Sequence, residues 1–206
     1  DGSGITIDGS ATASLEASNT CSGSMNGNAF TIDGMAFPLI VTEEIIRKGS
    51  RSSAGGGTWC YAKETNCHHD YNAADIMAPP GTVVVAAKGG EVVSARIATN
   101  GVRCSKRDTI TIRSDDGNVW FYTHLKANSA VVKNGQKVSA GAKLAVVGET
   151  GAADCTAPHL HIDQLPSKYK TRVSCASAGC SSYPFIDIQP QLNELYEKMI
   201  STEKGL

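Results

Sequence analysis

Two histidines stand one residue apart in Pro158-His159-Leu160-His161-Ile162-Asp163, inside an otherwise apolar run that reads as a strand. On a strand, side chains i and i+2 leave the same face, so His159 and His161 look into one space while Leu160 and Ile162 point the other way. Alone, such a pair also fits the solvated face of an edge strand. The chain has only five histidines, however, and the other three lie in two further stretches of similar chemistry. In His68-His69-Asp70-Tyr71-Asn72-Ala73-Ala74-Asp75-Ile76, the Asp75 carboxylate enters an apolar strand, a costly place unless it is paired or bound to metal. In Val119-Trp120-Phe121-Tyr122-Thr123-His124-Leu125, an imidazole ends an aromatic strand, where a satisfied core histidine would also fit. Taken together, these groups point to a hydrolytic zinc centre, which needs three nitrogen or oxygen ligands and one position open to water. Imidazole with carboxylate suits Zn²⁺ better than the all-oxygen sets of Ca²⁺ or Mg²⁺. One histidine of the upstream stretch, Asp75 and one of His159/His161 make up that count. The remaining pair member and His124 are then available as base, acid or oxyanion donor.

The elements that must position these groups are short strands separated by turn residues. Strands are predicted over 83–87, 91–95, 109–113, 118–125, 143–147 and 159–165, with the turn Asp115-Asp116-Gly117-Asn118 between the third and fourth. Asn134-Gly135-Gln136 and Ala140-Gly141-Ala142 bracket a short piece at 137–139. Strands at this spacing, without alternating helices, indicate a mainly β fold built on antiparallel sheet. One helix is predicted at about 189–201, where Leu192, Leu195, Tyr196 and Met199 fall at i, i+3, i+4 and i+7, with a frayed tail over 201–206. Residues 43–48 suggest a helical turn and 50–57 a Ser/Gly loop.

Residues 1–34 are rich in Ser, Gly, Thr, Ala and Asn and read as an N-terminal extension, leaving 35–206 as the main domain. Within the extension Ile5-Thr6-Ile7-Asp8-Gly9 returns as Phe30-Thr31-Ile32-Asp33-Gly34, two strand-turn pieces that could pair but are too few for a repeat architecture.

A net charge of −1 in 206 residues does not favour a polyanion partner. No apolar run approaches the roughly 20 residues that cross a bilayer. Seven cysteines spread through loop-like sequence favour disulfides in an oxidising compartment over zinc knuckles. Cys60/Cys67 and Cys175/Cys180 would close short loops and Cys104/Cys155 a long one, with Cys21 left over. The chain opens on Asp1 rather than Met, and the expectation is a processed form of a secreted precursor. Nothing suggests more than a monomer.

The order and spacing of these motifs resemble the lysostaphin-type zinc metallopeptidases, with an upstream His-x(n)-Asp, a central Tyr-x-His and a downstream His-x-His. The resemblance continues through Asp75-Ile76-Met77-Ala78-Pro79-Pro80-Gly81-Thr82, through 132–138 and through Val147-Gly148-Glu149-Thr150-Gly151, and covers roughly residues 37–190. It implies an antiparallel β core of the duplicated hybrid motif type around one zinc, and cleavage of peptide bonds in bacterial cell-wall cross-links. Carried over by position, His69, Asp75 and His161 would hold Zn²⁺, His159 would activate the water, and His124 would steady the oxyanion or shuttle a proton. The family's usual His-to-Asp spacing would put the first ligand at position 71, which is Tyr here. His69 is preferred because its even offset from Asp75 keeps both side chains on one face, and His68 is the alternative should a bulge intervene. His159 and His161 could also exchange roles. The resemblance further implies a secreted or periplasmic setting and a peptidoglycan peptide as substrate. A non-catalytic cell-envelope module of the same fold and a protease acting on Gly-rich proteins such as elastin are the alternatives. A module that had lost activity would lack ligands, whereas His69, Asp75, His124, His159 and His161 are all present.

Overall fold

A computed structural model of the chain describes residues 24–26, 29–40, 59–61, 71–96, 108–149, 158–173 and 180–204. The strands are β1 (Ser24–Asn26), β2 (Ala29–Ile32), β3 (Met35–Ala36), β4 (Trp59–Tyr61), β5 (Ala74–Met77), β6 (Val83–Val85), β7 (Gly90–Arg96), β8 (Thr109–Ser114), β9 (Val119–Thr123), β10 (Lys137–Val138), β11 (Lys143–Val146) and β12 (His159–Leu165). Among the described residues one α-helix, α1 (Gln189–Lys204), follows, after a 3-10 turn at Cys180–Ser182. Seven strands form the principal sheet in the order β10-β7-β8-β9-β12-β5-β4, every pairing antiparallel. β6 pairs with β11, and β1, β2 and β3 make a small sheet of their own. The expected fold class, mainly β with antiparallel sheets and one C-terminal helix, is the observed one.

Side-chain alternation divides the principal sheet into two faces with different chemistry. Ala74, Ile76, Ile110, Ile112, Trp120, Tyr122, Leu160 and Ile162 share the hydrophobic core with Leu192, Leu195 and Met199 of α1. The apolar stripe of the helix therefore does what its period predicts: it removes apolar surface from water. The other face of β5, β9 and β12 carries Asp75, Thr123, His159, His161 and Asp163, all buried as well. Polar side chains under cover are stable only with partners, so this second face must be an organised site.

Several element ends differ from expectation. β6 stops at Val85 because the next two N–H groups turn elsewhere: Ala86 donates to the Ala142 carbonyl at 2.9 Å and Ala87 to the Tyr122 hydroxyl at 2.8 Å. The helix continues to Lys204 rather than fraying from 201, with the hydroxyls of Ser201 and Thr202 both donating to the Lys198 carbonyl. At its start, Asp187 Oδ1 accepts from the Gln189 N–H at 3.1 Å, while Pro190 has no first-turn donor to leave bare. Of the stretch expected as an extension, residues 29–34 supply β2 and a turn with positive φ at Asp33 and Gly34. Phe30 and Ile32 belong to the same core as the principal sheet. The earlier copy of that strand-turn piece, the 43–48 turn, the 50–57 loop and Cys21 lie outside the described residues. So does at least one member of each expected cysteine pair.

Candidate active site

β12 lies between β5 and β9, and its register sets His161 directly opposite Asp75 on one side and Thr123 on the other. Residues opposite one another on antiparallel strands share a face. Asp75 and His161 therefore meet although 86 residues separate them: Asp75 Oδ1 stands 2.9 Å from His161 Nδ1 and 3.6 Å from His159 Nε2. His161 is 3% exposed and Asp75 4%.

His124 reaches the same space by a different route. Alternation along β9 puts Phe121 and Thr123 on the site face and Tyr122 in the core, so an extended residue 124 would be aimed at the core. Instead His124 has φ of 62°, a left-handed conformation uncommon for any side chain but glycine. β9 ends there, two residues before the expected strand end, and the His124 ring lies 4.5 Å from that of His159 and 6.1 Å from that of His161. The turn is secured by Gly148, whose N–H donates to the His124 carbonyl at 2.9 Å. A Cβ on Gly148 would come within 2.3 Å of the Lys126 Cα, so only glycine admits this approach. Tyr122, by contrast, buries its hydroxyl in the core beneath Ala87, and burial pushes its pKa far up.

Behind His161 lie groups that local sequence reasoning gave no role. Asp163, two residues on and on the same face, sets Oδ2 at 3.2 Å from His161 Nε2. The Tyr71 hydroxyl is also 3.2 Å from that nitrogen. Arg172 donates from Nε at 3.1 Å and from Nη2 at 2.7 Å to the same Asp163 oxygen. Asp163 was discoverable by extending the i, i+2 alternation one step beyond the His-x-His pair. Arg172 lies in irregular chain beyond the end of β12 and has no local signal at all.

Burial by itself would lower the pKa of His161, but hydrogen bonds to Asp163 and Asp75, with the charges of both carboxylates, outweigh it and push the value up to about 9. The space between Asp75 and Nδ1 thus favours a positive charge, held here as a proton. Asp75 Oδ1 and His161 Nδ1 bring one carboxylate oxygen and one imidazole nitrogen to the same space, the donor types that a catalytic zinc ion takes. The donor chemistry of Asp75 and His161 therefore fits a zinc ion. Among the described residues no three His, Cys, Asp or Glu side chains are gathered as a metal set. His69, the expected third ligand, and His68, its alternative, lie outside the described residues.

A family model for peptidase family M23 matches residues 69–172, half of the chain. The chain belongs to peptidase family M23. The matched M23 segment runs from His69 through Arg172 and so includes both carboxylate partners of His161. Among curated proteins, the peptidoglycan DD-endopeptidase ShyA of Vibrio cholerae serotype O1 is 33% identical over 95 residues, 46% of this chain and 20% of that protein. The uncharacterized lipoprotein YgeR of Escherichia coli strain K12 is 29% identical over 121 residues, 55% of this chain and 46% of that one. The chain thus spans less than half the length of either. Among solved structures, the antimicrobial peptidase lysostaphin from Staphylococcus simulans is similar at a TM-score of 0.45 and 27% identity, over 60% of this chain and 44% of that chain.

Proposed function

We propose that this M23 chain is a zinc-dependent endopeptidase that hydrolyses peptide bonds in peptidoglycan cross-links. The observation that carries the reading is the convergence of Asp75, His161, His159 and His124 on one buried sheet face, within a segment of peptidase family ancestry. The naming of one relative as a peptidoglycan endopeptidase supports the substrate class.

In this reading His69, Asp75 and His161 hold Zn²⁺, with Nδ1 as the His161 ligand atom. The ion supplies Lewis acidity, making water acidic near neutral pH and drawing electron density from a carbonyl oxygen. His159 Nε2, 3.6 Å from Asp75, is placed to take the proton of the attacking water and return it to the leaving amine. The neighbouring imidazole of His124 is placed to donate a hydrogen bond to the oxyanion as the carbonyl becomes tetrahedral. The low exposure of all four groups strengthens these interactions by keeping bulk water away. A secreted or periplasmic setting and the disulfide pairs expected from seven cysteines belong to the same proposal, since the wall lies outside the cytoplasm.

The test is mass spectrometry of fragments released from defined cross-linked muropeptides, with and without a chelator and with an elastin digest alongside. Chelator-sensitive cleavage at the cross-link is the expected result. Intact muropeptides beside degraded elastin would replace the substrate, and no cleavage of either would remove the enzyme.

A further inference from the structure

His161 has two ring nitrogens, and an ion can use only one of them. Which one is presented depends on what holds the other. Nε2 faces away from Asp75 into a group made of the buried Asp163 and the half-buried Arg172 and Tyr71. Asp163 is completely buried, and its Oδ2 accepts from Arg172 Nε and Nη2 as well as facing His161 Nε2.

The guanidinium cannot swing away from this task. Its Nη1 donates to the Val173 carbonyl at 2.6 Å and its Nη2 to the Tyr71 hydroxyl at 3.3 Å. Its carbon lies 4.4 Å from the Phe121 ring centroid and 5.5 Å from that of Phe185. Tyr71 is itself seated 4.4 Å from the Phe185 ring. The chain beside it is tied down by Asn72 Nδ2 donating to the Phe185 carbonyl at 3.0 Å and by Gln189 Nε2 donating to the Ala73 carbonyl at 2.7 Å.

We infer that Asp163, Arg172 and Tyr71 are a positioning clamp that keeps the proton of neutral His161 on Nε2 and so presents Nδ1, beside Asp75, to a bound divalent ion. The inference rests on the proposed reading of His161 as a metal ligand. Asp163 Oδ2 and the Tyr71 oxygen both accept from an Nε2–H, and the Asp163 carboxylate, an acceptor only, does not stabilise a bare lone pair there. The alternative tautomer would set that lone pair against the carboxylate. Arg172 keeps Asp163 aimed, and the aromatic rings keep Arg172 in place. An acceptor of this kind also makes the ligating nitrogen more electron-rich.

Zinc affinity, measured on the full chain at one pH by competition with a chromophoric chelator, tests the clamp. Asp163→Asn is expected to weaken zinc binding by about ten- to a hundredfold, and Tyr71→Phe by a smaller factor. In the zinc-loaded wild type, ¹⁵N NMR of the His161 ring is expected to show a protonated Nε2 and a metal-bound Nδ1. A metal-bound Nε2 overturns the inference. So does unchanged zinc affinity in Asp163→Asn and Tyr71→Phe with far-UV circular dichroism intact. Should Asp163→Asn not fold, Tyr71→Phe and Arg172→Lys decide the question, weakened zinc binding supporting the clamp and wild-type binding removing it. His161→Ala separates the two levels: wild-type zinc affinity in that variant sinks the ligand reading and the clamp together. Loss of zinc there, with binding retained in the clamp variants, sinks the clamp alone.

Discussion

One imidazole between two buried carboxylates sets the character of this site. In the metal-free protein His161 is held as a cation, with Nδ1–H donating to Asp75 and Nε2–H to Asp163. Its pKa rises from 6.5 in the free side chain to about 9 in the fold. A group raised in this way stabilises the folded state fully below pH 6.5 and ceases to do so as pH climbs through 9. The urea midpoint of chelator-treated protein is therefore expected to fall across that window, and His161→Ala to lack this component of the fall. A midpoint with the same pH dependence in both proteins would contradict the pairing. The neighbouring histidines should separate by function. His161→Ala is expected to lose zinc, whereas His159→Ala should keep most of its zinc and slow turnover by about 10²–10⁴. For His124→Ala the expected loss is about 10²–10³ at nearly normal metal content. Metal analysis beside kcat on a cell-wall peptide checks all three, and equal zinc loss in His159→Ala and His161→Ala would overturn the division of labour.

At the scale of elements, the site depends on where β9 stops. Continued extension would carry residue 124 to the core face, and the positive φ at His124 returns it to the histidine pair. That turn is braced by Gly148, which lies against Lys126 too closely for any side chain. Gly148→Ala is expected to destabilise the protein by roughly 1–3 kcal/mol, or about 2–10 °C in Tm, and to reduce kcat more than zinc content. A variant with unchanged Tm and turnover would show that the brace is dispensable. The motif Tyr122-Thr123-His124 was legible in the sequence, but the change of face inside it was not. Alternation is a rule for extended backbone, and a single left-handed residue suspends it. The principal strands and the helix were legible for the complementary reason: their periods are continuous and agree with burial. The early end of β6 was not, since it follows from acceptors at Tyr122 and Ala142 that are remote in sequence.

For the whole molecule, the principal sheet separates stability from chemistry. One face and α1 form the apolar core, and the other holds Asp75, His159, His161 and Asp163. Removal of metal should therefore leave the fold standing, because Asp75 and His161 can share a proton where the ion would be. Adding zinc to chelator-treated protein at about a hundred times its Kd is expected to add about 2.7 kcal/mol, raising Tm by roughly 5–10 °C. Far-UV circular dichroism should hardly change. Collapse of the fold on chelation would place the metal in the structural core instead, and no rise in Tm would argue against a zinc site.

The amino-acid sequence alone determined the strand pattern, the helix stripe and the chemical types at the site, because these are matters of local period and residue identity. It also carried the family resemblance, whose motifs keep their order and turn residues. Only the tertiary structure decided that Asp75 faces His161, that His124 crosses to their side, and that Arg172 holds Asp163 behind them. Each of these depends on strand register, one backbone dihedral or a contact between residues distant along the chain. A one-residue shift in pairing would reverse which face every side chain occupies, and no local pattern encodes that choice.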